Sequence, residues 1–142
     1  MAVRTAKAEW NGNLMQGRGK MALGSGAFEG AYSFSSRFEE GAGTNPEELL
    51  GAAHAGCFSM ALTAALSKNG FNPNRVATTA KVHLMKVGES FAITAIELDT
   101  EGNVPGIDQA RFQEFAEGAK KGCPVSKALS GTEIKLTARL VS

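Results

Sequence analysis

Apolar and polar residues alternate with a period of two over several stretches of this chain, and over one stretch apolar residues run on with no period at all. Residues 3–10, from Val3 to Trp10, alternate as a half-buried strand does. The following Asn11-Gly12 has the composition of a two-residue hairpin turn, which predicts a partner strand over 13–23. Gly24-Ser25-Gly26 reads as a loop, and a short strand is predicted over 31–35. Residues 37–43 are charged and glycine-containing without a period, so they read as a loop. Residues 75–87 place Val76, Thr78, Ala80, Val82, Leu84 and Lys86 on one face, and 91–103 alternate in the same way after Gly88-Glu89-Ser90. A last strand is predicted over 132–141, with Ile134, Leu136, Ala138 and Leu140 on one side.

Helix signals separate these strands. Asn45 suits an N-cap, Pro46 the first helical position, and Glu47 and Glu48 the positive end of the helix dipole. The helix they open is predicted to run to Lys68, where Asn69-Gly70 stops it. Asp108 caps a second helix through Lys121, with Ala110, Phe112, Phe115, Ala116 and Ala119 as its apolar positions. A short helix starts at Pro124. Strands, helix, strands, helices and strand in that order predict an α+β fold, and 142 residues suit a single domain spanning 1–142.

The unpatterned stretch is the middle of the first long helix. Leu49 to Leu66 carries no formally charged side chain and approaches the length of a membrane span. It also holds His54, Ser59, Thr63, two glycines and many alanines, and no aromatic belt flanks it, which reads as a buried helix and not as a span. A helix apolar all round needs cover on every side. One chain of this size covers it only in part, and its small residues allow a second helix to approach closely. Both points predict a homodimer with this helix at or near the interface.

Charge narrows the function. The formal net charge is +1 and the longest basic cluster is Lys120-Lys121, which leaves no footprint for nucleic acid or an anionic membrane. The first ten residues lack the apolar core of a signal peptide, and two cysteines are too few to staple a secreted fold. A reducing, cytoplasmic setting is expected, where a cysteine pair is more often catalytic or metal-binding than structural.

The two cysteines carry the candidate chemistry. A buried cysteine is usually a small hydrophobe, so context must argue for more. Cys123 precedes Pro124 at a helix N-cap, where the dipole favours a thiolate. Cys57 lies three turns into its helix and needs a cation, for which Arg37 is the candidate, and Glu47-Glu48 is the nearest acidic pair to anchor that arginine. His54, three residues before Cys57, makes a His-x-x-Cys pair able in principle to bind metal or to activate the thiol. His83 and Cys123 are isolated in sequence and supply no second pair, so a packed, hydrogen-bonded histidine is the expectation.

The run Asn45-Pro46-Glu47-Glu48-Leu49-Leu50-Gly51-Ala52-Ala53-His54-Ala55-Gly56-Cys57-Phe58-Ser59-Met60-Ala61-Leu62 resembles the central-helix motif of the OsmC/Ohr family of thiol-dependent peroxidases. Val104-Pro105-Gly106-Ile107-Asp108 and Gly122-Cys123-Pro124-Val125-Ser126 resemble the family's second motif, and the likeness leans to the OsmC branch. The resemblance implies antiparallel sheets around a long buried central helix in an intertwined homodimer. It implies that Cys57 is the peroxidatic cysteine and Cys123 the resolving one, that Arg37 stabilises the thiolate, and that Glu47 holds Arg37, Glu48 falling one place off. The implied substrates are organic hydroperoxides and, less readily, hydrogen peroxide. No cofactor is bound in that scheme, and an external dithiol, a lipoyl group on a lipoylated protein, reduces the disulfide. On one helix Glu47 and Cys57 stand about 15 Å apart along the axis and ~80° around it. That separation raises the hypothesis that Arg37 and Glu47 serve the Cys57 of the other copy. A non-catalytic stress protein that binds a hydrophobic ligand or a metal in the same dimer cavity is the alternative.

Overall fold

The computed structural model describes residues 1–141. The chain forms two compact units, 1–49 and 50–142.

The first unit holds a three-stranded antiparallel sheet in the order β1-β2-β3, with β1 Ala6–Asn11, β2 Arg18–Leu23 and β3 Glu29–Tyr32. The β1–β2 connection is wider than a two-residue turn. Asn11 pairs with Arg18, and residues 12–17 form the loop. Asn13 organises that loop, accepting from the Trp10 indole at 3.1 Å and the Gln16 amide at 2.8 Å. An Asn side chain that closes its own turn in this way competes with strand pairing, so β2 starts at 18 and not at 13. The third strand lies two residues earlier than the pattern predicts. After it comes α1, Phe34–Phe38, where a loop is expected. Ser33 and Ser36 form a capping box, each side chain bonded to the other's backbone amide. Arg37 therefore stands in the last turn of a short helix.

The helix α2, Pro46–Lys68, has the bounds the sequence predicts, with the Glu48 amide donating to Asn45 Oδ1 at 2.8 Å. It is long and apolar enough to cross a membrane, with a mean hydropathy of 1.5, and 28% of its most apolar stretch is buried in this chain. The buried residues recur every fourth position: His54, Phe58, Leu62 and Leu66 are all at 0% exposure. Ala52, Gly56, Met60 and Ala64 line an exposed stripe, with Met60 at 77%.

The second unit is built on a mixed sheet in the order β4-β5-β6. Strands β4, Arg75–Val87, and β5, Ser90–Asn103, form a long antiparallel hairpin, and β6, Glu133–Leu140, runs parallel to β5 along its other edge. The hairpin register slips between His83 and Leu84, which leaves Thr94 as the extra residue of a bulge. The return to a parallel β6 is made by α3, Gln109–Gly122, and α4, Pro124–Ala128. Asp108 caps α3, accepting from the Arg111 amide at 2.7 Å. Phe58, Leu62 and Leu66 from α2, Ile96 and Leu98 from β5, Phe112, Ala116 and Ala119 from α3, and Ala138 from β6 share one core. Phe112 packs on Gly102 so closely that a Cβ there would lie 2.5 Å from its ring.

Candidate active site

The structure assembles the four candidate residues as two pairs, one in each unit. In the first unit, Arg37 grips Glu47 with a fork: Nε donates to Oε1 at 3.2 Å and Nη2 to Oε2 at 2.9 Å. The Glu47 side chain is 8% exposed and that of Arg37 37%. The junction between α1 and α2 sets this geometry. Ser36 Oγ donates to the Thr44 carbonyl at 2.7 Å, and Asn45 Nδ2 donates to the Ser36 carbonyl at 3.1 Å. Gly43, at φ +118°, brings the chain against Ala31, where a Cβ would meet the carbonyl oxygen at 2.7 Å. Glu48 is engaged elsewhere, accepting from Thr44 Oγ1 at 2.6 Å. The Arg37 guanidinium also lies 5.2 Å from the centre of the Phe38 ring, a cation–π contact.

In the second unit, Cys57 and Cys123, 66 positions apart, bring their sulfurs to 2.7 Å. Both are free thiols. Cys57 is half-buried and Cys123 buried. A disulfide needs about 2.05 Å, so the sulfurs stand within a small side-chain movement of bonding. Helix α2 supplies one, and the junction of α3 and α4 supplies the other, where Cys123 is at once the C-cap of α3 and the N-cap of α4.

Each thiol lies in the other's hydrogen-bonding range, so each affects the ionisation of the other. Burial pushes the Cys57 thiol up, the contact with Cys123 adds to this, and the Val125 amide opposes it. Burial also acts to raise Cys123, but Cys57, the amide and hydroxyl of Ser126 and the Val125 amide outweigh it and hold that thiol below its ordinary value. Cys123 Sγ donates to Cys57 Sγ, and Cys123 makes no side-chain cap bond. The surroundings thus favour an anion at Cys123 over one at Cys57.

His54 is fully buried, and its Nε2 lies 2.7 Å from Ser126 Oγ. Burial lowers its pKa, which keeps the imidazole neutral at pH 7. It turns to a serine and not to the thiols. Among the described residues no group of three or more His, Cys, Asp or Glu side chains is placed to hold a metal ion. Ser126 is the site residue that sequence reasoning passed over. It lies inside the quoted Cys-Pro-Val-Ser run, but a serine at the third position of a short helix carries no signal until the fold sets His54 against it.

Comparison with known proteins places this architecture. Peroxiredoxin OsmC of Escherichia coli (strain K12) is 48% identical over 140 residues, covering 98% of this chain and 97% of that protein. The organic hydroperoxide resistance protein of Xanthomonas axonopodis pv. citri (strain 306) is 34% identical over 99 residues, 68% of each chain. The crystal structure of an OsmC-like protein from Mycoplasma pneumoniae shares the fold at a TM-score of 0.77, with 16% identity over 99% of both chains. The OsmC family model, described as OsmC-like protein, matches residues 39–139. A match over that span, with a relative of 48% identity along nearly the whole length, shows that this chain belongs to the OsmC family.

Proposed function

We propose that this protein is a thiol-dependent peroxidase that reduces organic hydroperoxides, and hydrogen peroxide more weakly. The names of its relatives, a peroxiredoxin and an organic hydroperoxide resistance protein, support a peroxiredoxin-type enzyme. The observation that carries the mechanism is the approach of two free thiols to 2.7 Å across 66 positions of sequence. In this scheme the Cys57 thiolate attacks the peroxide O–O bond, the alcohol leaves, and Cys57 becomes a sulfenic acid. Cys123 then displaces the hydroxyl as water and closes a disulfide. An external dithiol, a lipoyl group on a lipoylated protein, returns both thiols. The scheme needs no bound metal or cofactor.

Within one chain burial and the contact with Cys123 disfavour the Cys57 thiolate, so Cys57 needs a cation to become the nucleophile. We assign that cation to Arg37, oriented by Glu47, acting on the Cys57 of a second copy. The exposed stripe of Ala52, Gly56, Met60 and Ala64 supports a homodimer, because small side chains let a second helix approach closely and an exposed apolar stripe calls for cover. The protein works as one functional domain in the cytoplasm, where a dithiol pool keeps it reduced.

Intact mass after one equivalent of tert-butyl hydroperoxide tests the reading. The wild type loses two hydrogens, Cys123→Ser gains an oxygen, and Cys57→Ser is unchanged. A wild type that keeps its mass over minutes while a thiol reagent still labels it removes the peroxidase reading, and the binding-protein alternative takes its place.

A further inference from the structure

The peroxidase scheme requires Cys123 to be held against Cys57, and α4, which Cys123 caps, is a weak element to hold it with. It is five residues long, too short to persist without tertiary contacts. Its buried residue is Ser126. At 5% exposure, Ser126 meets His54 of α2, which is at 0%, with Oγ 2.7 Å from Nε2. His54 Nδ1 is buried with no hydrogen-bond partner among the described residues. Burying a ring with one nitrogen unpaired is costly, so an apolar residue at position 54 would fill the space at less cost. What the histidine adds is direction. Apolar contact is non-directional, whereas a hydrogen bond weakens steeply when its partners move out of line.

Both partners stand one helical turn from a cysteine. On α2, His54 lies three positions before Cys57, at neighbouring points of the helix surface. On α4, Ser126 lies three positions after Cys123, and the turn between them is closed by the Lys127 amide, which donates to the Cys123 carbonyl at 3.1 Å. Two hydrogen-bonded turns therefore face each other across two contacts, Nε2–Oγ and Sγ–Sγ, each 2.7 Å. With both turns closed by backbone bonds, the first contact fixes the second. A shift or rotation of α4 at Ser126 carries Cys123 with it. The bond acts through the backbone of the two helices.

We propose that the His54–Ser126 bond is a latch between α2 and α4 that sets the gap between the sulfurs, so that a Cys57 sulfenic acid closes to the disulfide before a second peroxide reaches it. This rests on the peroxidase reading. Two reactions compete for the sulfenic acid. In closure, the Cys123 sulfur attacks the Cys57 sulfur. The S–S bond forms, the S–O bond breaks, and the hydroxyl leaves as water with the proton of the Cys123 thiol. In over-oxidation, a second hydroperoxide gives an oxygen to the Cys57 sulfur. The O–O bond breaks, the alcohol leaves, and Cys57 becomes a sulfinic acid. Over-oxidation rises with peroxide concentration, while closure depends on the gap alone. A misplacement of about 1 Å slows a positioned reaction by up to about 100-fold. The latch therefore sets the peroxide concentration at which the enzyme is lost to sulfinic acid.

The test uses Ser126→Ala, with His54→Leu and the double variant beside it. Quenched intact mass over a series of tert-butyl hydroperoxide concentrations separates disulfide, which loses two hydrogens, from sulfinic acid, which gains two oxygens. Without the latch, the concentration that gives the two in equal amounts falls about tenfold. The equilibrium of the thiol pair with reduced and oxidised glutathione, measured without peroxide, reads the same gap as the effective concentration of one thiol at the other. It shifts about tenfold toward the dithiol in Ser126→Ala, about as far in His54→Leu, and no further in the double variant. General destabilisation weakens the dithiol and disulfide forms alike and leaves this equilibrium in place. An equilibrium that Ser126→Ala does not move overturns the proposal. Losses that add in the double variant also overturn it, because two residues acting through one bond lose it only once. A wild type that forms neither sulfenate nor disulfide with peroxide overturns the peroxidase reading instead, and the glutathione equilibrium still decides the latch.

Discussion

Removing Arg37 should cost more stability than removing Arg37 and the Glu47 charge together. The Arg37 fork makes two hydrogen bonds, at 2.9 and 3.2 Å, to a carboxylate whose side chain is 8% exposed. Exposed ion pairs contribute about 0.2–1 kcal/mol, and breaking a buried one costs about 3–5 kcal/mol. Glu47 is buried but Arg37 is 37% exposed, so Arg37→Ala falls between these limits, at about 2 kcal/mol. Most of that cost is the stranded carboxylate. Glu47→Gln keeps an acceptor for the guanidinium and costs about 1 kcal/mol. The double variant strands no charge and should lose only about 1–1.5 kcal/mol, below the sum of the single losses. The coupling is therefore about 1.5–2 kcal/mol, close to 1 M in the urea midpoint for an ordinary denaturant slope. Urea unfolding of the four proteins at equal concentration measures it, equal concentration being essential if the chain is a dimer. Additive losses would refute the reasoning, because they would mean that water or another group satisfies Glu47 when Arg37 is gone.

Mixed dimers of Cys57→Ser and Arg37→Ala chains should regain peroxidase activity if Arg37 serves the other copy, since both lesions then fall on one site and the second is intact; heterodimers as inactive as either parent place the arginine within its own chain. Met60→Glu, in the exposed α2 stripe, should shift the protein to a monomer by size-exclusion chromatography with scattering, and an unchanged mass moves the interface elsewhere. Gly102→Ala sets a Cβ 2.5 Å from the Phe112 ring and should destabilise by about 1–3 kcal/mol in thermal unfolding, with a neutral effect meaning that the ring has room to move. The folded-state pKa of His54 is depressed below its unfolded value of 6.5, so its contribution is fully present above pH 6.5 and is lost as pH falls toward the folded pKa. Stability should therefore decline on acidification below pH 6.5, and His54→Gln should flatten that part of the curve.

What the sequence determined by itself is what neighbouring residues decide. The bounds of α2 follow from Asn45 and Pro46 at one end and Asn69-Gly70 at the other, because caps and stops act within a few positions. The β4–β5 hairpin follows from alternation sustained over a dozen residues a side, and α3 from Asp108 and a regular apolar stripe. Short elements escaped the same reading. The helix α1 is five residues long, too short to show a period, and its capping box uses two serines that fit a loop equally well. The wide β1–β2 loop depends on which partners Asn13 takes, where Asn11-Gly12 alone suggests a tight turn. The bulge at Thr94 and the parallel course of β6 are matters of register with distant strands. The site divides along the same line. Cys57, Cys123, Arg37 and Glu47 stand out by residue type and motif. Only the tertiary structure sets one sulfur 2.7 Å from the other, aims the guanidinium at Glu47 with Glu48 on Thr44, and buries His54 against Ser126. These contacts join residues 4 to 72 positions apart. The longest are made when helix, sheet and core close together, and no local preference along the chain encodes them.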